Sequence, residues 1–109
     1  MRLSRFVLGL CMLPGVALAE PLIDGASKEG ASFAIVEQAF RARVAEAFPA
    51  GTPLADVTAR LTAEGFTMLD GYGEFVDHGW VCDVIWRVLW TEVDGKATDI
   101  DVMHNGVCL

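Results

Sequence analysis

The sequence predicts a two-layer α+β domain in which two N-terminal helices pack on a three-stranded antiparallel sheet (α-α-β-β-β). Three observations predict it. Apolar residues recur at helical spacing in two stretches between residues 32 and 65. Strand-like alternation follows as far as residue 104, and an Asp94-Gly95 pair marks a hairpin turn between the last two runs. Helices followed by strands indicate a layer of helices on one face of an antiparallel sheet.

The first predicted helix begins after Ser32, where apolar residues start to recur every three or four positions. Glu37 and Arg41 lie four residues apart on another face of this helix and are expected to form an ion pair. Pro49 ends the helix, because the residue before a proline avoids the helical conformation. The apolar positions that predict its buried face are Phe33, Val36, Phe40, Val44, Ala47 and Phe48.

The second predicted helix has a signal at each end. Thr52 is suited to cap its N-terminus and Pro53 to be its first residue, since the first helical residue needs no intrahelical partner for its amide. Gly65 is the expected C-terminal cap, after which Phe66 folds back onto Leu61.

The sheet is predicted from three runs of β-branched and aromatic residues. A glycine-rich stretch, residues 70–79, is expected to be a mobile connection between the first run and the second. The predicted strands are residues 66–69, 80–92 and 96–104.

Two registers are open for the last hairpin. A two-residue Asp94-Gly95 turn would place carboxylates, that of Asp99 among them, on the aromatic face of the longer strand. A three-residue loop that begins one residue earlier pairs Glu92 with Lys96 instead and separates polar from apolar side chains. We therefore predict the three-residue loop.

This register has two consequences for the side chains. Arg87 lies opposite Asp101, where the two form a cross-strand ion pair. Trp80, Trp86 and Trp90 share one face, which we predict to be core beneath the helices. The alternative is that the three tryptophans form an exposed aromatic stripe that binds a partner.

Two cysteines, Cys82 and Cys108, follow the N-terminal segment. An even cysteine count in a short exported chain indicates a disulfide, and no CxxC or zinc-ligand spacing is present. The predicted register places Cys108 opposite Trp80 and diagonally adjacent to Cys82. Asn105 and Gly106 would allow the backbone to bend and close the bridge.

Residues 1–19 have the three parts of a secretory signal peptide. Arg2 and Arg5 form a basic start, the apolar stretch is too short to span a bilayer, and small residues at Ala17 and Ala19 predict cleavage before Glu20. An uncleaved membrane anchor is the minority alternative. Lipidation of the third cysteine, at position 11, is disfavoured because a leucine precedes it.

Cleavage leaves residues 20–31 as a flexible lead-in and residues 32–109 as a single α+β domain. The full chain carries a net charge of −7, and the mature chain, with 15 acidic and 6 basic residues, carries −9. Such a charge repels phosphate backbones and anionic lipids, so we expect neither nucleic-acid binding nor stable membrane insertion after cleavage. The predicted location is the periplasm, an oxidising compartment.

The partner-binding candidates lie in and just after the glycine-rich stretch. Tyr72, Phe75, His78 and Trp80 combine aromatic side chains with a predicted loop, and binding residues are frequent on loops. An ordinary mobile connection is the competing interpretation.

No sequence motif indicates catalysis. Neither GxSxG, a phosphate-binding loop nor HExxH is present, so we predict no catalytic residue, no metal and no cofactor. The alternative hypothesis is a small periplasmic enzyme or metal-binding protein that uses acidic residues with His78 and His104.

The sequence from Gly51-Thr52-Pro53 to Gly65-Phe66, followed by an antiparallel meander, resembles the helix-helix-sheet module of bacterial envelope proteins. Members include the small lipoprotein of the outer-membrane assembly machine, of the SmpA/OmlA or BamE type, and the repeats of β-lactamase inhibitor protein. The resemblance implies a non-catalytic inhibitor or adaptor that binds protein partners in the cell envelope. The lipoprotein has a lipidated cysteine at its mature N-terminus, where this chain has Glu20.

Overall fold

The structure is a computed structural model that describes residues 21–23 and 32–108. The predicted signal peptide and its cleavage site lie outside the described residues. No helix in the described part of the chain is both long and apolar enough to cross a membrane. The elements, in chain order, are α1 (Phe33–Ala47), β1 (Thr52–Pro53), α2 (Leu54–Ala63), β2 (Thr67–Leu69), β3 (Tyr72–His78), β4 (Cys82–Val93) and β5 (Lys96–Cys108).

The strands form one curled antiparallel sheet in the order β1-β5-β4-β3-β2. The α+β class is confirmed, but the predicted three-stranded sheet is wrong, because β1 and β3 were assigned to other structures. Strand β3 was expected to be a mobile loop on account of its glycines. Gly73 is in fact buried against Leu61 and Met68, so its missing side chain makes room for packing.

Helix α1 forms as predicted. The Ser32 side chain accepts a hydrogen bond from the amide of Ile35 and caps the first turn. Val36, Phe40 and Val44 are buried on one face, which lies over the sheet, but Phe33 in the first turn is 51% exposed, so its assignment to the buried face is wrong. The helix therefore follows from its local capping and its apolar spacing.

Helix α2 matches the prediction at one end only. Its C-terminus is confirmed, since the amide of Phe66 donates to the carbonyl of Leu61 at 2.9 Å. At the N-terminus, Thr52 pairs with Ala97 in the sheet and does not cap the helix. The helix therefore begins at Leu54 and not at Pro53, because pairing of Thr52 in the sheet replaces the predicted cap. The amide of Leu54 donates to the carbonyl of Gly95 in the β4–β5 turn.

The β4–β5 hairpin has a register that neither alternative described. Val93 pairs with Lys96 across a two-residue turn of Asp94 and Gly95, both with positive φ, so the predicted three-residue loop is wrong. A β-bulge at Asp99, where φ is +49°, then adds one residue to β5. Beyond the bulge, apolar residues of β4 again lie opposite even-numbered residues of β5, such as Val88 opposite Val102. The apolar residues of both strands therefore share the inner face, as predicted.

The bulge also changes the predicted ion pair. Arg87 does not bind Asp101. Its Nε and Nη2 atoms each lie 2.7 Å from Oε2 of Glu74 on β3. Asp101 instead accepts a hydrogen bond of 2.9 Å from Arg41 on α1. This bond raises the pKa of Arg41 and lowers the pKa of Asp101.

The core lies between the inner face of the sheet and the two helices. Trp86 is 1% exposed and Trp90 is partly buried, as predicted, but Trp80 is 98% exposed, so its assignment to the core is wrong. Leu22, within the predicted flexible lead-in, is buried, and its amide donates to Glu64 on the turn after α2. The buried apolar residues are Leu22, Val36, Phe40, Val44, Phe48, Val57, Leu61, Phe66, Trp86, Val88, Ala97 and Val102.

Candidate binding site at the disulfide-linked end of the sheet

The turn between β3 and β4 consists of Gly79, Trp80 and Val81. It is closed by a hydrogen bond of 3.0 Å from the amide of Gly79 to the carbonyl oxygen of Cys82. A side chain at position 79 would overlap that same oxygen, so only glycine fits there. The turn therefore has a fixed backbone, in contrast to the mobile loop expected from the sequence.

A disulfide joins Cys82 on β4 to Cys108 on β5 immediately behind this turn. The two residues lie directly opposite each other, with their Cα atoms 4.0 Å apart. The cysteine pairing is as predicted. The predicted position of Cys108, opposite Trp80 and diagonal to Cys82, is wrong, because the bulge shifts the register and brings Cys108 directly opposite Cys82. The bridge holds the end of β5 against the base of the turn.

We call residues 78–83 together with residues 107–108 the Trp80 end. Its apolar side chains face solvent: Trp80 is 98% exposed, Val81 52% and Val107 57%. An indole that is almost wholly exposed on a fixed turn is unusual, because removing a large aromatic side chain from water is favourable. This end of the sheet is therefore an apolar surface available to a partner.

The Trp80 end contains one acidic residue, Asp83, and one histidine, His78. His78 lies 3.2 Å from Asp83 across the strands, and both side chains are largely exposed. No lysine or arginine occurs in either sequence segment of the Trp80 end. The surface thus combines an exposed indole with a carboxylate and contains no lysine or arginine.

The other histidine, His104, is buried on the opposite face of the sheet. Its ring lies 3.9 Å from that of Trp86 and 5.1 Å from that of Phe33, and its Nδ1 is 3.2 Å from the carbonyl oxygen of Ile85. Burial lowers its pKa, against the opposing effects of the Ile85 hydrogen bond and the Glu37 charge. His104 is therefore part of the core.

The predicted alternative of a metal site does not come together in this geometry. His78 and His104 lie on opposite faces of the sheet, as their strand partners Asp83 and Trp86 indicate. Among the described residues, no group of three or more histidine, cysteine or acidic side chains is arranged to hold a metal ion.

The four predicted partner-binding residues are separated by the fold. His78 and Trp80 lie together at the Trp80 end. Tyr72 lies at the far end of β3, where its ring centroid is 5.5 Å from Cζ of Arg87, and Phe75 packs against Phe66 on the inner face, with ring centroids 5.7 Å apart.

Sequence reasoning missed two exposed valines of the Trp80 end. Val81 follows Trp80 directly, so its exposure would have been expected if residues 79–81 had been predicted as a turn and not as part of a strand. Val107 is distant in sequence and lies opposite Asp83 only because of the β4–β5 register. No sequence signal pointed to Val107.

Comparison of the chain with protein-family models, curated proteins and solved structures finds no match. The resemblance to the envelope module stays a prediction. The function is therefore argued from the geometry of the Trp80 end.

Proposed function

We propose that this chain is an exported, non-catalytic protein-binding module, of inhibitor or adaptor type, that docks on its partner through the Trp80 end. The observation that supports the proposal is the 98% exposure of Trp80. Its turn is held by the hydrogen bond from Gly79 to Cys82 and by the Cys82–Cys108 disulfide. Tryptophans are frequent energetic anchors of interfaces, and a preformed backbone reduces the entropy lost on binding.

The charge of the molecule specifies the chemistry of the partner. The chain carries −7, and the Trp80 end itself has no lysine or arginine. A partner with an apolar pocket for the indole and basic residues around that pocket would be complementary. Such a pocket buries Trp80 while the rim attracts the acidic surface.

Capture of partners from envelope extract tests the proposal. We expect the wild-type protein to retain a specific partner and the Trp80→Ser variant to lose it, because the indole supplies the central contact. Val93→Ser is a matched control, since Val93 is 52% exposed at the opposite end of β4. Equal capture by wild type and Trp80→Ser would contradict the proposal.

Tryptophan fluorescence gives an independent readout. Iodide should quench Trp80 in the free protein and leave the buried Trp86 largely unquenched. A saturating amount of the captured partner should protect Trp80 from iodide. Persistent quenching in the complex would place the interface elsewhere.

The proposed location in the periplasm rests on the signal-like residues 1–19 and on the disulfide. Mass spectrometry of the exported protein should show Glu20 as its first residue. An exported pool that retains Met1 would argue against this processing.

A further inference from the structure

The two edges of the sheet differ in how their backbone groups are satisfied. On β5, the amide of His104 donates to Glu37 at 3.1 Å, and the carbonyl of Val102 accepts from Arg41 at 3.3 Å. The amide of Val102 donates to the side chain of Asp101 at 2.8 Å. Three side chains, two of them from α1, thus bind the backbone groups of Val102 and His104 on this side of β5 and oppose the addition of another strand there.

The opposite edge is covered over only part of its length. Strand β2 has three residues and pairs with β3 from Tyr72 to Glu74. Strand β3 continues to His78, and no strand in the described part of the chain pairs with residues 75–78 on that side.

The backbone groups that face this open edge can be identified from the ladder. The amide of Gly79 bonds to Cys82, and the amide of Trp90 bonds to Gly71, so odd-numbered residues of β3 face β4. Antiparallel pairs alternate in direction, and Val76 and His78 therefore direct their amide and carbonyl groups away from β4. Two donors and two acceptors line the edge next to the Trp80 end.

We infer that residues 75–78 of β3 bind an extended segment of the partner as an added β-strand. The inference rests on the proposed function and names the form in which the partner binds. Main-chain hydrogen bonds to Val76 and His78 would provide affinity, and the adjacent Trp80 would provide an anchor.

Charge excludes a second copy of this chain as the occupant. Self-pairing that used both Val76 and His78 would bring together two chains that each carry a net charge of −7. A basic segment is complementary instead. Its lysine or arginine side chains would complement the net negative charge of the chain, and a β-branched residue would lie opposite Val76, because directly opposed residues share a face of the sheet.

Random nine-residue peptides displayed on phage provide a probe. Peptides selected on the disulfide-bonded protein should combine basic and β-branched residues. On binding, amide exchange of Val76 and His78 should slow by at least about tenfold, while that of Phe75 and Asp77 changes little. Failure to select a binder, or binders that leave both edge amides unprotected, would overturn the inference.

A pair of substitutions at Val76 provides a second test. Val76→Pro removes the amide hydrogen that points away from β4 and leaves the hydrogen bonds to β4 in place. Val76→Thr keeps that amide. We expect Val76→Pro to weaken binding of a selected peptide by about tenfold and Val76→Thr to leave it within about twofold. Equal affinities would overturn the inference, and if Val76→Pro does not fold, the exchange measurement on wild type decides.

The same variants separate this inference from the proposed function. An envelope partner that is lost with Trp80→Ser but kept with a folded Val76→Pro would leave docking through Trp80 standing and overturn the added strand. A partner that is lost with Val76→Pro but kept with Trp80→Ser would support the added strand and contradict docking through Trp80.

Discussion

Strand β4 has two ends that are held in different ways. At its C-terminal end, the turn that contains Gly95 packs against the preceding part of the chain. The amide of Leu54 donates to Gly95 and the amide of Gly51 donates to Ala97, both at 2.9 Å, and Ala97 is buried. At its N-terminal end, the Trp80 turn is held by one backbone hydrogen bond and the Cys82–Cys108 disulfide.

The difference shows how a fixed turn can present an apolar side chain to solvent. The Gly95 turn is ordered by contacts with α2 and β1, so its order depends on the folded core. The Trp80 turn is held by the Cys82–Cys108 disulfide at its base and by the hydrogen bond from Gly79 to Cys82. Its indole can therefore stay exposed without loss of the turn geometry.

Removal of the disulfide should have the largest effect on this comparison. A Cys82→Ser, Cys108→Ser double variant should lose about 3 kcal/mol in the free energy of unfolding, because the bridge spans 26 residues. Amide exchange should accelerate at the Trp80 end and less at the Gly95 turn, beyond the global change. Two reactive thiols per chain in protein denatured without reductant would contradict the bridge.

Alanine substitution of the turn glycines should have the next largest effect. Gly79→Ala should destabilise by about 2 kcal/mol, because the new methyl group overlaps the Cys82 carbonyl and the backbone must shift. Gly95→Ala should cost about 1 kcal/mol, because its φ is +77° but its surroundings are open. Denaturant unfolding measures both, and a larger loss for Gly95→Ala would reverse the assignment of the constrained turn.

The smallest predicted effect is a pH dependence from His104. Burial lowers its folded pKa below the ordinary 6.5, so the unfolded state binds the proton more readily. Stability is therefore complete above about pH 6.5 and falls as pH decreases towards the folded pKa, by at most about 1.4 kcal/mol per pH unit.

Urea unfolding between pH 7.5 and 5.5 measures this contribution. His104→Phe keeps the ring against Trp86 and should flatten the dependence relative to wild type. His78→Asn is a comparison variant, because His78 is exposed at the Trp80 end whereas His104 is buried. An unchanged slope in His104→Phe would assign the dependence to the carboxylates.

Local signals in the sequence predicted the parts of the fold that local contacts control. The Ser32 cap, the apolar stripe of α1 and the turn after Gly65 depend on neighbours within a few residues. The inner face of the β4–β5 hairpin and the Cys82–Cys108 pairing were also predicted, because alternation and cysteine count are visible without a register.

Part of the candidate site was predicted as well. His78 and Trp80 were named as partner-binding residues, and the structure places both at one end of the sheet. Phe75 and Tyr72 do not join them, because a strand directs alternate side chains to opposite faces and spreads them along its length.

The sequence by itself determined two helices, an apolar sheet face and a disulfide pair. Only the tertiary structure decided the bulge at Asp99, the strand character of β3 and the exposure of Trp80. The bulge and the strand character of β3 depend on pairing between strands, such as Leu89 with Asp101 and Phe75 with Trp86. Long-range backbone hydrogen bonds select one register among several that satisfy the same alternation, and no local pattern carries that choice.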